Sequence, residues 1–173
     1  REEDFRLEGE IMAEQGRAMR LPLSKYWLGI LALAMVPLTQ ADEVAFQLPT
    51  AGQEVPMEQI KIICEHFGLE TLWEKIERDP PPHPFVSDGC TRWVDEVDGV
   101  DIYPACFRHD LKYWAGYAGE KVPRLKADAE FMVEVAELLG ETAMAETMFA
   151  GVRLFGGEKL EATFSWGFGR QED

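Results

Sequence analysis

Cys106-Phe107-Arg108-His109-Asp110-Leu111-Lys112-Tyr113 is the stretch on which the reading of the chain turns. Pro104, two residues before it, suits the first turn of a helix, where a missing N–H costs nothing. A helix is therefore predicted over residues 104–114, with Gly116 and Gly119 ending it. On that helix His109 and Tyr113 are four apart and share a face. Asp110 points about 100° away from His109, so the adjacent imidazole and carboxylate cannot form a simple dyad. Their separation gives them two jobs.

Working outward, Pro123 opens a second predicted helix over 123–139, closed by Gly140. It carries Asp128 beside Leu125, Phe131 and Met132 at helical spacing, at the border of an apolar face. If the two helices run antiparallel across the glycine-containing turn, Asp128 can meet His109, fix its tautomer and stabilise a transient imidazolium. An imidazole so held can withdraw a proton from water at neutral pH. Alone, each residue has a plainer reading: a His-Asp dipeptide as surface, Tyr113 as core, Asp128 as a solvated helix residue.

The flanks are helical too. Residues 57–78 carry an apolar stripe through Ile60, Ile63, Cys64 and Phe67, interrupted at Gly68 and resumed by Leu69, Leu72, Trp73 and Ile76. Pro80, Pro81 and Pro82 stop it. A shorter helix is expected over 142–155. In the tail, Phe164, Trp166 and Phe168 alternate with small residues and read as a strand or hairpin. Cys64 reads as a buried thiol. Trp114 and Tyr117 stand as core or as an interfacial patch. The fold class is mainly α: two antiparallel helices carrying the site, flanking helices, and a small C-terminal β hairpin or loop.

The 173 residues suit one domain. A hydrophobic content of 46% is enough to build a core. With 17 Lys and Arg against 32 Asp and Glu, the net charge of -15 argues against the basic face a nucleic-acid binder needs. It also argues against a polybasic membrane anchor. Near the start, Arg20 and Lys25 precede the apolar run Leu28–Leu38, and Thr39, Gln40 and Ala41 follow. That order is the layout of a cleaved secretory signal. The run is shorter than the roughly 20 residues of a membrane span, so no transmembrane segment is expected. The expected organisation is a tail at 1–18 ahead of a start at Met19, a signal at 19–41 cleaved near Ala41, a flexible lead at 42–56 and one domain over 57–173. Secreted or periplasmic localisation follows, in a compartment where disulfides persist.

Cys90 lies sixteen residues before Cys106, across a loop rich in Asp and Gly. Together Cys90, Cys106, His109, Asp110, Tyr113 and Asp128 resemble, in order and spacing, the secreted phospholipase A2 superfamily, in particular its small bacterial members. The resemblance spans about Asp88 to Phe131. It implies a Cys90–Cys106 disulfide tethering loop to helix, His109 as general base, Asp128 as its orienting carboxylate assisted by Tyr113, and Asp110 as a Ca2+ ligand. It also implies a phospholipid substrate whose acyl ester is hydrolysed with calcium stabilising the oxyanion. The stretch Asp88-Gly89-Cys90-Thr91 resembles the start of the family's calcium loop. Alignment on Cys90 makes the carbonyls of Gly89, Thr91 and Trp93 the loop ligands, with Asp88 or Asp95 as alternative carboxylates. Two departures stand out: Ala105 occupies the place of a second cysteine, and Arg92, Trp93, Val94 and Asp95 replace an expected glycine run.

Two other classes fit parts of the pattern. A non-catalytic secreted binding module could share the fold. A His-Asp type metal-dependent phosphohydrolase would need several histidines around a metal, yet only His66, His83 and His109 exist. No G-x-S-x-G elbow is present.

Overall fold

The structure, a computed structural model, describes residues 46–171. The predicted tail at 1–18, the signal at 19–41 and the first part of the lead lie outside the described residues. Among the described residues there are five α-helices: α1 (Met57–His66), α2 (Glu70–Arg78), α3 (Tyr103–Trp114), α4 (Lys121–Leu139) and α5 (Ala143–Phe155). Two antiparallel strand pairs are tucked between them, β1 (Glu54–Val55) with β2 (Phe85–Val86), and β3 (Glu96–Val97) with β4 (Val100–Asp101).

The stops are chemical. Gly68 adopts φ +66°, which splits the 57–78 pattern into α1 and α2. Asp101 Oδ1 accepts the Tyr103 N–H at 2.9 Å at the start of α3. The fourth helix begins at Lys121, two residues before the expected Pro123, because a proline in the first turn forfeits no intrahelical bond. Gly140, at φ +67°, ends it. The Glu141 carboxylate accepts the N–H groups of Ala143 and Met144 and so starts α5.

Helix α3 lies between two cores. One face packs Phe107, Leu111 and Trp114 against Ile60, Ile63, Cys64, Ile76 and Phe85. The other packs Ala105 and Cys106 against Phe131, Val135, Ala145 and Met148. Polar pairs fix the antiparallel register of α3 and α4. Arg108 meets Glu134 at 2.8 Å, and Lys112 meets Glu130 at 2.9 Å.

The described part of the lead and the tail are both packed. Phe46 and Leu48 lie on the first core, and Pro49 O accepts the Tyr103 hydroxyl at 2.5 Å. Apolar residues and a strand pairing hold it, which its polar composition did not reveal. The tail is not a hairpin. It forms 3₁₀ turns at Glu158–Leu160 and Phe168–Arg170, because Trp166 inserts toward Gly116 and Gly167 takes φ +78°. The loop alternative was the correct one.

This tail straps α3. Gly167 N–H donates to Tyr113 O at 2.7 Å, Trp166 Nε1 donates to Tyr117 O at 2.8 Å, and His83 N–H donates to Gly169 O at 3.1 Å. Arg170 pairs with Asp79 at 2.9 Å. A Cβ on Gly169 would fall within the Trp114 indole and 2.6 Å from its carbonyl oxygen. Gly169→Ala is expected to cost about 1–3 kcal/mol, read as a lowered urea midpoint with an unchanged m value.

Candidate active site

The covalent frame of the site is the Cys90–Cys106 disulfide, which ties the 87–95 loop to α3 across a separation of 16 residues. One turn along α3, His109 Nε2 lies 2.9 Å from Asp128 Oδ1 on α4. The Tyr113 hydroxyl donates to the same oxygen at 2.6 Å. Asp128 is fully buried. Burial alone would lift its carboxyl, but the hydrogen bonds from His109, Tyr113 and Arg153 outweigh that and hold it below the usual range. An ionised acceptor at Nε2 places the imidazole proton there and leaves Nδ1 free of one. Burial lowers the His109 pKa, and the Asp128 contact opposes this only in part, so the neutral imidazole is favoured.

His109 lines a cavity of about 210 Å³. Gly89, Thr91, Trp93, Asp110 and Tyr113 line it as well, so the expected base, its tyrosine and the expected calcium ligands meet there, with Asp128 buried behind. Its walls are apolar, with Phe131, Met148 and Val152 from α4 and α5. Trp93 and Phe155 are exposed at 39% and 63%, which leaves their rings in contact with solvent.

Asp110 leaves α3 in a different direction from His109, as the 100° step requires. It accepts the Ser87 hydroxyl at 2.6 Å. Burial pushes its carboxyl well above the usual range; the Ser87 bond offsets this in part, while the charges of Asp88 and Asp95 add to it. A buried carboxylate facing further acids is electrostatically undersupplied with positive charge. The Asp110 carboxylate and the Ser87 hydroxyl on it are oxygen groups of the kind a hard cation takes. Among the described residues, no three His, Cys, Asp or Glu side chains gather as a metal cluster. A cation here would therefore lean on backbone carbonyls. In the loop, Gly89 and Arg92 take φ +80° and +61°. Of the alternative carboxylates, Asp95 is occupied within the loop. Its Oδ1 accepts the Cys90 N–H at 2.8 Å and pins the backbone from beneath. Asp88 Oδ1 accepts the Thr91 hydroxyl at 2.5 Å.

The remaining sequence candidates fall elsewhere. Cys64 is a buried free thiol, pushed up to about 12 chiefly by burial, and is inert there. Trp114 is core. Tyr117 is neither core nor an apolar patch: Arg170 and Lys75 lie over its ring at 4.0 and 4.3 Å, and its hydroxyl donates to Asp79. Three site residues escaped the sequence reading: Ser87, Arg124 and Arg153. Arg124 stands four before Asp128 on one helix, a spacing that signals an ion pair. The other two carry no local signal.

The site thus holds a neutral imidazole backed by a buried carboxylate, beside a second carboxylate at an apolar cavity. The chain is similar to a secretory phospholipase A2 of Beauveria bassiana (strain ARSEF 2860), with 33% identity over 100 aligned residues, 51% of this chain and 53% of that protein. It thus spans about half the length of the curated relative it matches. No family model and no solved structure matches the chain.

Proposed function

We propose that this domain hydrolyses the acyl ester of a phospholipid, outside the cell that makes it, with His109 as general base. The observation that carries the reading is the 2.9 Å contact between His109 and Asp128 beside a cavity that also holds Asp110. His109 Nδ1 accepts a proton from water, and the water oxygen attacks the ester carbonyl. The imidazolium then returns the proton to the departing glycerol oxygen, while Asp128 and Tyr113 keep the ring in place. No covalent acyl intermediate is needed. The apolar walls take up acyl carbons and exclude bulk water.

Asp110 and the carbonyls of Gly89, Thr91 and Trp93 would hold calcium. The bound ion would supply positive charge to the substrate phosphate and to the developing oxyanion. Zwitterionic lipids are the favoured substrates, because the net charge of -15 repels an anionic surface. Among the described residues, no helix is long and apolar enough to cross a membrane. Substrate contact would then be peripheral.

The test is fatty-acid release from a zwitterionic phospholipid in calcium and in excess chelator. Release in calcium that falls to background in chelator, and returns when calcium is restored, supports the reading. Equal release in both conditions removes calcium from it, and no release in either removes lipid hydrolysis.

A further inference from the structure

Asp128 Oδ1 is committed to His109 and Tyr113, yet its other oxygen is equally well attended. Arg153, from α5, reaches Asp128 Oδ2 with Nη1 at 2.5 Å. Arg124 Nε stands 3.8 Å from the same oxygen and 3.2 Å from the Tyr113 hydroxyl. Arg124 is itself anchored, because its Nη2 donates to the carbonyls of Val152 and Arg153 at 2.8 and 3.0 Å. Two guanidinium groups thus converge on one buried carboxylate from the side opposite the imidazole.

A carboxylate can turn about its Cβ–Cγ bond, and hydrogen bonds to one oxygen alone leave that rotation soft. Loading the second oxygen from a different helix fixes the plane, and with it the direction of the lone pair that meets His109. The charge matters too. An isolated carboxylate in the interior would take up a proton or draw in water, and either event would release the imidazole.

We propose that Arg153, supported by Arg124, is a positioning residue that locks the Asp128 carboxylate and so aligns His109 with the cavity. The claim deepens the hydrolase reading and rests on it for its kinetic consequence. It makes α5 part of the working site: the helix supplies the cavity wall through Met148 and Val152 and the lock through Arg153. Arg153 touches neither the cavity nor the reacting atoms, so its removal acts on turnover through geometry. The Arg153 side chain is 31% exposed, so a shorter or neutral replacement opens a path for water to Oδ2.

The experiment compares wild type, Arg153→Met and Arg153→Lys. Turnover is measured on a monomeric short-chain zwitterionic phospholipid with calcium. The ring N–H signals of the three histidines are followed by 15N NMR, with His66→Gln and His83→Gln used for assignment. Arg153→Met is expected to lower kcat about 10–100-fold with KM changed less than about twofold. Arg153→Lys is expected to restore most of the loss. In wild type the His109 Nε2–H signal is sharp and slow to exchange; in Arg153→Met it broadens or shifts, and the lysine variant recovers it. Unchanged kcat with an unchanged His109 signal overturns the proposal, as does a fall in kcat that lysine does not rescue. If wild type releases no fatty acid, the hydrolase reading fails by itself. The ring signal then decides alone: altered in Arg153→Met it supports the lock, unaltered it overturns it. Arg153→Gln takes the same readouts if the methionine variant does not fold.

Discussion

His109→Gln is expected to lower kcat for phospholipid hydrolysis by about 10²–10⁴-fold while leaving the fold intact. The expectation on stability comes from Asp128. Without the imidazole, that carboxylate still accepts from Tyr113 at 2.6 Å and from Arg153 at 2.5 Å, so no buried charge is orphaned. The variant should therefore melt close to wild type, which distinguishes lost chemistry from lost structure. Steady-state rates with a melting curve check both halves. A variant that keeps wild-type turnover would remove His109 as the base.

The second large effect is on stability. Replacing Cys90 and Cys106 together by serine opens a loop closed over 16 residues. Loop-closure entropy puts the loss at about 3 kcal/mol. For a domain of this size that corresponds to a melting temperature lower by roughly 10 °C. Activity should fall further than unfolding alone accounts for, because the same bond fixes Gly89, Thr91 and Trp93 over the turn of α3 that carries His109 and Asp110. Thermal melts and rates measured below the transition, at raised calcium, separate the two contributions. Rates that recover fully with calcium would locate the defect in loop affinity alone. Melting unchanged from wild type would show that the bond does not restrain the unfolded chain.

The candidate site was legible where it depends on spacing along one helix. His109, Asp110 and Tyr113 sit within five residues, and the 100° step between neighbours is enough by itself to separate the two jobs. Asp128 was legible because the break at Gly116 and Gly119 makes α3 and α4 antiparallel neighbours. Arg153 was not legible, because it lies 25 residues from Asp128 on a helix whose apolar residues say nothing of a charged partner. The two-residue strands were hidden as well, being too short to show alternation. The tail misled for a definite reason. Phe164, Trp166 and Phe168 alternate as a strand would, but Gly167 turns the backbone to the left-handed region between two of them. Their spacing reflects separate ring placements.

The strap has a temporal consequence. Its partners sit far back along the chain, Arg170 to Asp79 across 91 positions and Gln171 O to His83 across 88. A growing polypeptide that has not yet reached residue 166 already possesses His109, Asp110 and Asp128, yet its Tyr113 lacks the indole that shields it edge-on at 5.2 Å. The Tyr113 side of the site is therefore closed only by a segment made after His109, Asp110 and Asp128.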